Sequence, residues 1–354
     1  MADENVDINV SANVNENGNQ QVEARVEALR EDFQRVRDEI AKVIVGHEEV
    51  VEGLLTCLLC DGHALLEGVP GLGKTLLVKS LGAALHLQFS RIQFTPDLMP
   101  ADIIGTRVVL QDEQERRYFE FQAGPVFSNI VLADEINRAT PKTQSALLEA
   151  MQEQSVTVAG TEHRLERPFL VLATQNPLEM DGTYPLPEAQ LDRFLLKLNV
   201  TYPSFAELSD IVDRTTQREE PEPQPVLDVA AILEAQRLVR EVPLASHVRD
   251  YAVNVGLSTH PDGPQTSATI QRYVRYGCSP RGVQSLVLAA KVRAFLAGRP
   301  NVDLDDIRAM VVPCLRHRLI LNFEGEAEGI ESADLLGELL QTLPARGAGA
   351  VQPA

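Results

Sequence analysis

The run Gly68-Val-Pro-Gly-Leu-Gly-Lys-Thr75 constrains this chain more than any other feature. It follows a short apolar stretch of strand type, Ala64–Glu67, and precedes a helical run, Leu76–Leu85. Strand, glycine-rich loop and helix therefore come in the order that a phosphate-binding loop requires. Glycines at 68, 71 and 73 let the backbone bend until its N–H groups point inward at phosphate oxygens, and the following helix adds the partial positive charge of its N-terminus. On this reading Gly68, Val69, Pro70, Gly71, Leu72, Gly73, Lys74, Thr75 and Leu76 bind a nucleotide, with Lys74 on the β- and γ-phosphates and Thr75 as a ligand of Mg2+. The alternative, a chance glycine-rich turn, needs eight positions to agree in residue type and context by coincidence.

Around the loop, between Val45 and Val200, short apolar segments alternate with helical patterns. Ala64–Glu67, Ile130–Ala133 and Phe169–Ala173 read as strands, and helices follow Lys74 and Pro141. That alternation predicts an α/β fold, a parallel sheet covered by helices. Arg107–Phe121 and Ser155–Leu165 alternate apolar and polar residues around a polar middle and read as inserted β-hairpins. Such inserts are surface decoration, or the parts of a motor that touch its substrate.

The ends and the middle of the chain divide it further. Residues 1–20 carry few large apolar side chains and read as a disordered tail. Val22, Val26, Leu29, Phe33, Val36, Ile40 and Val43 then lay one apolar seam along a helix, to be packed on its own domain or on a neighbouring subunit. Gln217–Pro225 holds three prolines among charges and marks a boundary. Beyond it Val229–Val242, His247–Leu257, Arg281–Leu296 and Leu304–Val311 have helical periodicity. The expected division is a tail over 1–20, a nucleotide-binding core over 21–215, a linker over 216–227, a small all-α domain over 228–343 and a loose tail over 344–354.

Several further residues carry candidate chemistry. Asn129–Glu135 is an apolar run of buried-strand type that ends in two carboxylates, at the edge where parallel α/β sheets bind ligands. Asp134 is suited to order a Mg2+ shell and Glu135 to polarise a water for attack on the γ-phosphorus. Without a phosphate loop upstream, such a pair would be a solvated turn. Asn176, just past the strand candidate Phe169–Ala173, offers a neutral amide for the γ-phosphate or the attacking water, or is simply part of an Asn-Pro turn. Ser279-Pro-Arg-Gly282 reads as a helix start capped by Ser279, which holds Arg281 where it can reach a phosphate from the second domain. Arg281 and Arg193 are otherwise ordinary solvated arginines.

Composition narrows the function. With 44% hydrophobic and 23% charged residues the chain has the make-up of a soluble globular protein, and neither a secretory signal nor a membrane-spanning run is visible. The 51 acidic residues outnumber 32 basic ones, for a net charge of −19, which opposes binding by bulk attraction to nucleic acid. Cys57, Cys60, Cys278 and Cys314 lack zinc-site spacing and read as buried or half-buried free thiols, with redox or metal chemistry as the alternative; a reducing cytoplasm fits.

Taken in order, these pieces resemble the AAA+ ATPases, and the linking sequences are similar to the MoxR-type branch. The resemblance spans roughly residues 22 to 322. It is carried by Val45-Gly46, His63–Thr75, Gln93–Asp102, Gly124–Phe127, Ala133–Ala139, Ala173–Pro177, Gly182–Phe194, Ser279–Arg281 and His317–Leu319. Pro264–Tyr273 departs from it, standing where a shorter connection is expected. The resemblance implies an AAA+ core followed by a helical lid, with Val45 and Gly46 against the adenine of ATP. It implies Asn176 as the sensor-1 residue, Arg281 as the sensor-2 residue that couples nucleotide state to lid position, and Arg193 as an arginine finger entering a neighbouring subunit's site. It implies hairpins facing the pore or upper surface of a ring, most often a hexamer. The work implied is chaperone-like remodelling of a protein client, often with a partner bearing a von Willebrand factor A domain. A nucleic-acid motor and a metal-chelatase motor subunit share the same core and stand as alternatives.

Overall fold

The continuous apolar runs around the loop fold as strands with both faces covered, as parallel strands require. The computed structural model describes residues 6–343, apart from 114, 177–181, 217–220 and 264, with side chains from residue 23 onward. Helices α1 (Val6–Val43) and α2 (Glu48–Leu59) lead into β1 (Ala64–Glu67), the loop and α3 (Lys74–Ala84). Next come β2 (Phe89–Gln93), α4 (Pro100–Ile104), the hairpin β3 (Gly105–Gln111) and β4 (Arg117–Ala123), and β5 (Ile130–Asp134). After α5 (Pro141–Glu153) a second hairpin, β6 (Ser155–Val158) and β7 (Thr161–Arg164), precedes β8 (Leu170–Gln175), α6 (Glu188–Leu191), β9 (Leu196–Asn199) and α7 (Phe205–Thr215). The rest of the chain is α8 (Val229–Glu241), α9 (Ser246–Ser258), α10 (Ala268–Tyr273), β10 (Val274–Tyr276), α11 (Pro280–Leu296), α12 (Leu304–Leu315), β11 (Ile320–Leu321), α13 (Phe323–Ala327) and α14 (Ser332–Thr342).

The central sheet has the order β2-β5-β8-β1-β9 and every pairing in it is parallel. One face carries Leu65, Val131, Ala133, Val171 and the apolar sides of α4 and α5. The other carries Leu66, Leu132 and Leu172, and its cluster runs without a break through α1, α2 and α3 into α8, α9, α11, α12 and α14. The C-terminal helices are thus built onto the sheet's own core. They are interrupted by one short antiparallel pair, β10 with β11.

Three features differ from the sequence expectations. Helix α1 begins at Val6, inside the stretch whose composition argues against order; a formed helix extends at the cost of one residue per added hydrogen bond, without a new nucleus. Its seam residues Leu29, Phe33, Val36 and Ile40 are buried within the chain, and Arg25 pairs with Glu234 of α8 at 2.7 Å. The end of the proline-rich segment is anchored, since the Val226 N–H donates to the Ala84 carbonyl at 2.8 Å and Leu227 is buried. Helix α7 buries none of its residues, and Tyr202, Phe205, Leu208 and Val212 are all exposed. The tail over 344–354 lies outside the described residues.

Both hairpins form over the expected segments, and the Phe121 ring of the first stacks on His163 of the second with centroids 3.9 Å apart. Val109, Tyr118 and Phe119 stay exposed on the first. All four cysteines are free and buried. No helix among the described residues is long and apolar enough to cross a membrane.

Two buried histidines tie stability to pH. The His63 Nδ1 accepts the Val171 N–H at 3.0 Å, so its Nε2 carries the proton toward the Met151 carbonyl at 3.1 Å. The His317 Nε2 lies 3.0 Å from the Phe194 carbonyl, and its buried Nδ1 has no partner among the described residues. Burial lowers both pKa values from the ordinary 6.5, and neighbouring Arg318 lowers that of His317 further. The unfolded chain therefore takes up these protons first. Stability is full above about pH 6.5 and falls below it, by up to about 1.4 kcal/mol per pH unit for each histidine. The expected melting temperature is level from pH 8 to 7 and drops between 6.5 and 5; a scan that stays level down to pH 5 refutes the assignment.

Candidate active site

Because the strands are parallel, β1, β5 and β8 all end at one edge of the sheet, in adjacent positions. Their ends deliver the phosphate loop, the carboxylates and Asn176 side by side. The loop opens on backbone that only glycine adopts freely, with Gly71 at φ 85° and Gly73 at φ 74°, the latter capping α3. At Gly68 an added Cβ would stand 2.6 Å from the Val200 carbonyl oxygen. Lys74 lies in the first turn of α3 and donates to the Gly68 carbonyl at 2.5 Å. Partial burial lowers its pKa, against the opposing pull of Asp134, Glu135 and Glu67. A half-buried ammonium held by a loop carbonyl can turn to phosphate oxygens.

The acids are held by partners that the sequence reading did not name. Thr174 of β8 donates its hydroxyl to one Asp134 oxygen at 2.7 Å and accepts the Glu135 N–H at 2.8 Å. Arg91 of β2 donates to the other Asp134 oxygen at 2.5 Å, and Gln93 donates to Glu135 Oε2 at 2.9 Å. Arg138 also stands 3.3 Å from that oxygen. Glu135 sits in the left-handed region, at φ 56° and ψ 49°, a conformation that costs a non-glycine residue about 1–2 kcal/mol and turns it away from Asp134. Asn176 is buried at the end of β8, and the Gly68 N–H donates to the carbonyl of the preceding Gln175 at 3.3 Å.

The donor set suits Mg2+. That ion takes one or two carboxylates together with phosphate oxygens and water rather than an all-protein cage, and the described residues contain no cluster of three or more His, Cys, Asp or Glu that could hold a metal. Asp134 and the Thr75 hydroxyl would hold it, and a bound Mg2+ would neutralise charge on the phosphates. Val45 lines a cavity of about 910 Å3 with Tyr202, Pro203 and Glu207, and the Glu207 carboxylate closes over Gly46. None of the residues from Gly68 to Leu76 lines that cavity, so it does not extend to the loop.

Arg193 and Arg281 are not at this edge. Both line a separate cavity of about 260 Å3 with Gly62 and His63, the residues just before β1. Four residues of strand place that cavity about 10 Å or more from the start of the loop. Arg281, expected to reach a phosphate from the second domain, therefore stands away from the loop of its own chain. Ser279 takes the cap position of α11, yet its hydroxyl donates to Asp192 at 3.0 Å instead of capping the helix. Buried Arg318 donates to the same carboxylate at 2.8 Å and to the Phe194 carbonyl at 2.7 Å. This knot fixes the turn bearing Arg193 against the start of the helix bearing Arg281. The Arg193 guanidinium also donates to the Leu148 carbonyl at 2.8 Å.

A phosphate loop after the fourth strand of a β2-β5-β8-β1-β9 sheet, paired acids one strand beyond a buried asparagine, and an appended helical unit define the AAA+ class of nucleotide-binding proteins. The family described as "ATPase family associated with various cellular activities (AAA)" matches residues 63–196, and the "AAA lid domain" matches residues 267–339. Chaperone MoxR1 of Mycobacterium tuberculosis is 42% identical over 310 residues, 88% of this chain and 81% of that one. Protein MoxR of Methylorubrum extorquens is 31% identical over 342 residues, 89% and 96% of the two chains. A crystal structure of a candidate ATPase from Cytophaga hutchinsonii superposes with a TM-score of 0.86 at 40% identity, covering 92% of this chain and 98% of the other. The chain belongs to the MoxR family of AAA+ ATPases.

Proposed function

We propose that this protein hydrolyses ATP with Mg2+ and works as a ring, a hexamer by family resemblance, that remodels or activates protein complexes in the cytoplasm. Lys74 holds the terminal phosphates, Thr75 and Asp134 hold the metal, Glu135 activates the water and Asn176 positions it. Val45 and Gly46 lie against adenine. Arg193 and Arg281 act in trans, on the nucleotide of a neighbouring subunit. The observation that carries this reading is the placement of the two arginines beside Gly62 and His63, at the start of β1, whereas the phosphate loop follows the end of that strand.

The division into a core over 21–215 and a lid over 228–343 is kept as part of this proposal, with the shared apolar cluster coupling one to the other. A relative named as a chaperone supports a protein client, and a partner with a von Willebrand factor A domain remains the family's suggestion. The net charge of −19 argues against a nucleic-acid track. Adding the client or its VWA partner is expected to raise steady-state ATP turnover, while DNA or a porphyrin-binding subunit leaves it unchanged. Stimulation by DNA or by the porphyrin-binding subunit, with none from proteins captured on the Glu135→Gln chain, replaces this reading by the nucleic-acid or the metal-chelatase alternative.

A further inference from the structure

We propose that Arg240, on α8, is a third catalytic arginine, which with Arg193 and Arg281 forms one anion site for the terminal phosphates of ATP bound to a second copy of this chain. This rests on the reading above that Arg193 and Arg281 act across a boundary between copies.

The three arginines line the same cavity of about 260 Å3, although they come from the turn after α6, from the end of α8 and from the start of α11. In a chain with 51 acidic residues against 32 basic ones, none of the three has a carboxylate partner among the described residues. Two acids are close by: Asp61, which also lines the cavity, is held through one oxygen by Arg167 at 2.8 Å, and Asp192 is held by Arg318 at 2.8 Å. The Lys291 ammonium donates to the Arg240 carbonyl at 2.7 Å, which brings a further positive charge to the end of α8. Burial, and secondly Arg240, lowers the pKa of that lysine. Three arginines outnumber the one carboxylate, Asp61, in the lining of this cleft, and an entering anion relieves the repulsion among them.

Size and shape narrow the anion. The cavity is smaller than the roughly 300–1,000 Å3 of pockets that enclose a whole small ligand, so it suits a charged end presented from outside. Planar, forked guanidinium groups match phosphate oxygens in pairs, which ammonium groups do not. The chain's own loop leaves the opposite end of β1, so the phosphate is another copy's.

The test compares Arg240→Ala with Arg193→Ala and Arg281→Ala in the full chain. Arg240→Ala is expected to lower ATP turnover by on the order of 10- to 100-fold. Its ATP affinity at subunit concentrations too low for assembly should match that of the parent, as should its melting temperature, since Arg240 is exposed. In a Glu135→Gln background the same change should weaken ATP-dependent self-association, followed by sedimentation velocity, and Arg240→Lys should recover part of it. Mixing Arg240→Ala with Lys74→Ala should restore turnover. If Arg193→Ala and Arg281→Ala lose turnover while Arg240→Ala keeps both turnover and assembly, the third arginine is wrong and the reading beneath it stands. If all three variants keep turnover, that reading fails as well. A loss in Arg240→Ala that mixing does not restore places the anion in the same chain and overturns the proposal.

Discussion

Arg193→Ala and Lys74→Ala, each inactive alone, are expected to hydrolyse ATP when mixed. Arg193 lies beside Gly62 and His63, ahead of β1, whereas Lys74 follows the far end of that strand, so one chain does not bring the two to one nucleotide. A cation supplied by a neighbour stabilises charge on the transferring phosphoryl group, an effect worth roughly 10³ or more in rate. On the proposed reading, Lys74→Ala removes the ammonium that a triphosphate needs, and Arg193→Ala removes the cation supplied in trans. In a mixed assembly some contacts pair an intact loop with an intact arginine, and turnover returns in a manner that depends on the mixing ratio. Assemblies shown by mass spectrometry to contain both variants, yet no more active than either alone, exclude a simple finger in trans. Wild-type turnover in Arg193→Ala alone removes the residue from catalysis altogether.

Glu135→Gln should bind ATP as the parent does and hydrolyse it at least about 100-fold more slowly, since general-base contributions typically lie between 10² and 10⁴. The substituted amide keeps the shape of the side chain and can still accept from Gln93, so the loop, Asp134 and Thr174 stay as they are. What is lost is the capacity to accept a proton from water. Binding and turnover therefore separate, and the trapped complex is the form in which partners are best captured. Single-turnover hydrolysis near the parent rate would show that Glu135 is not the base.

The nucleotide-binding half of this molecule was readable because its signals are local. The phosphate loop lies within eight consecutive residues, and β1, β5 and β8 are unbroken apolar runs, as strands buried on both faces must be. Strand β2 was harder, since Phe89-Ser-Arg-Ile-Gln93 mixes apolar and polar residues in the manner of an edge strand, and it holds a single fully buried side chain, Ile92. With β2 went Arg91 and Gln93, which clamp the two acids from more than forty positions away in sequence. Only the strand order brings them together, and sequence periodicity carries no strand order. Thr174 is hidden in the same way, since nothing in Ala173–Pro177 marks a role that only its place beside the end of β5 creates.

The lid shows a different limit. The start of α11 was legible from Ser279 and Pro280, yet the edge of the sheet that Arg281 faces depends on how α11 packs on α8, α9 and α12 and on the Asp192–Arg318 contact. Helical periodicity gives the inward face of a helix and says nothing of its neighbours. Helix α7 went unread for the opposite reason: its Phe205, Leu208 and Val212 have helical spacing, but they cover nothing in the chain.

The position of the loop and of the arginine pocket at opposite ends of β1 gives contact between copies a direction. On the proposed pairing, unlike surfaces meet, so the contact is heterologous. A two-fold dimer that joins identical patches leaves both loops uncovered. An open row of n copies holds n − 1 completed sites and carries a bare loop at one end and a bare pocket at the other, whereas closure removes both ends in one step. Activity per subunit therefore rises with concentration as the population of closed assemblies rises, and a small excess of chains blocked at either end suppresses far more than its own share of turnover.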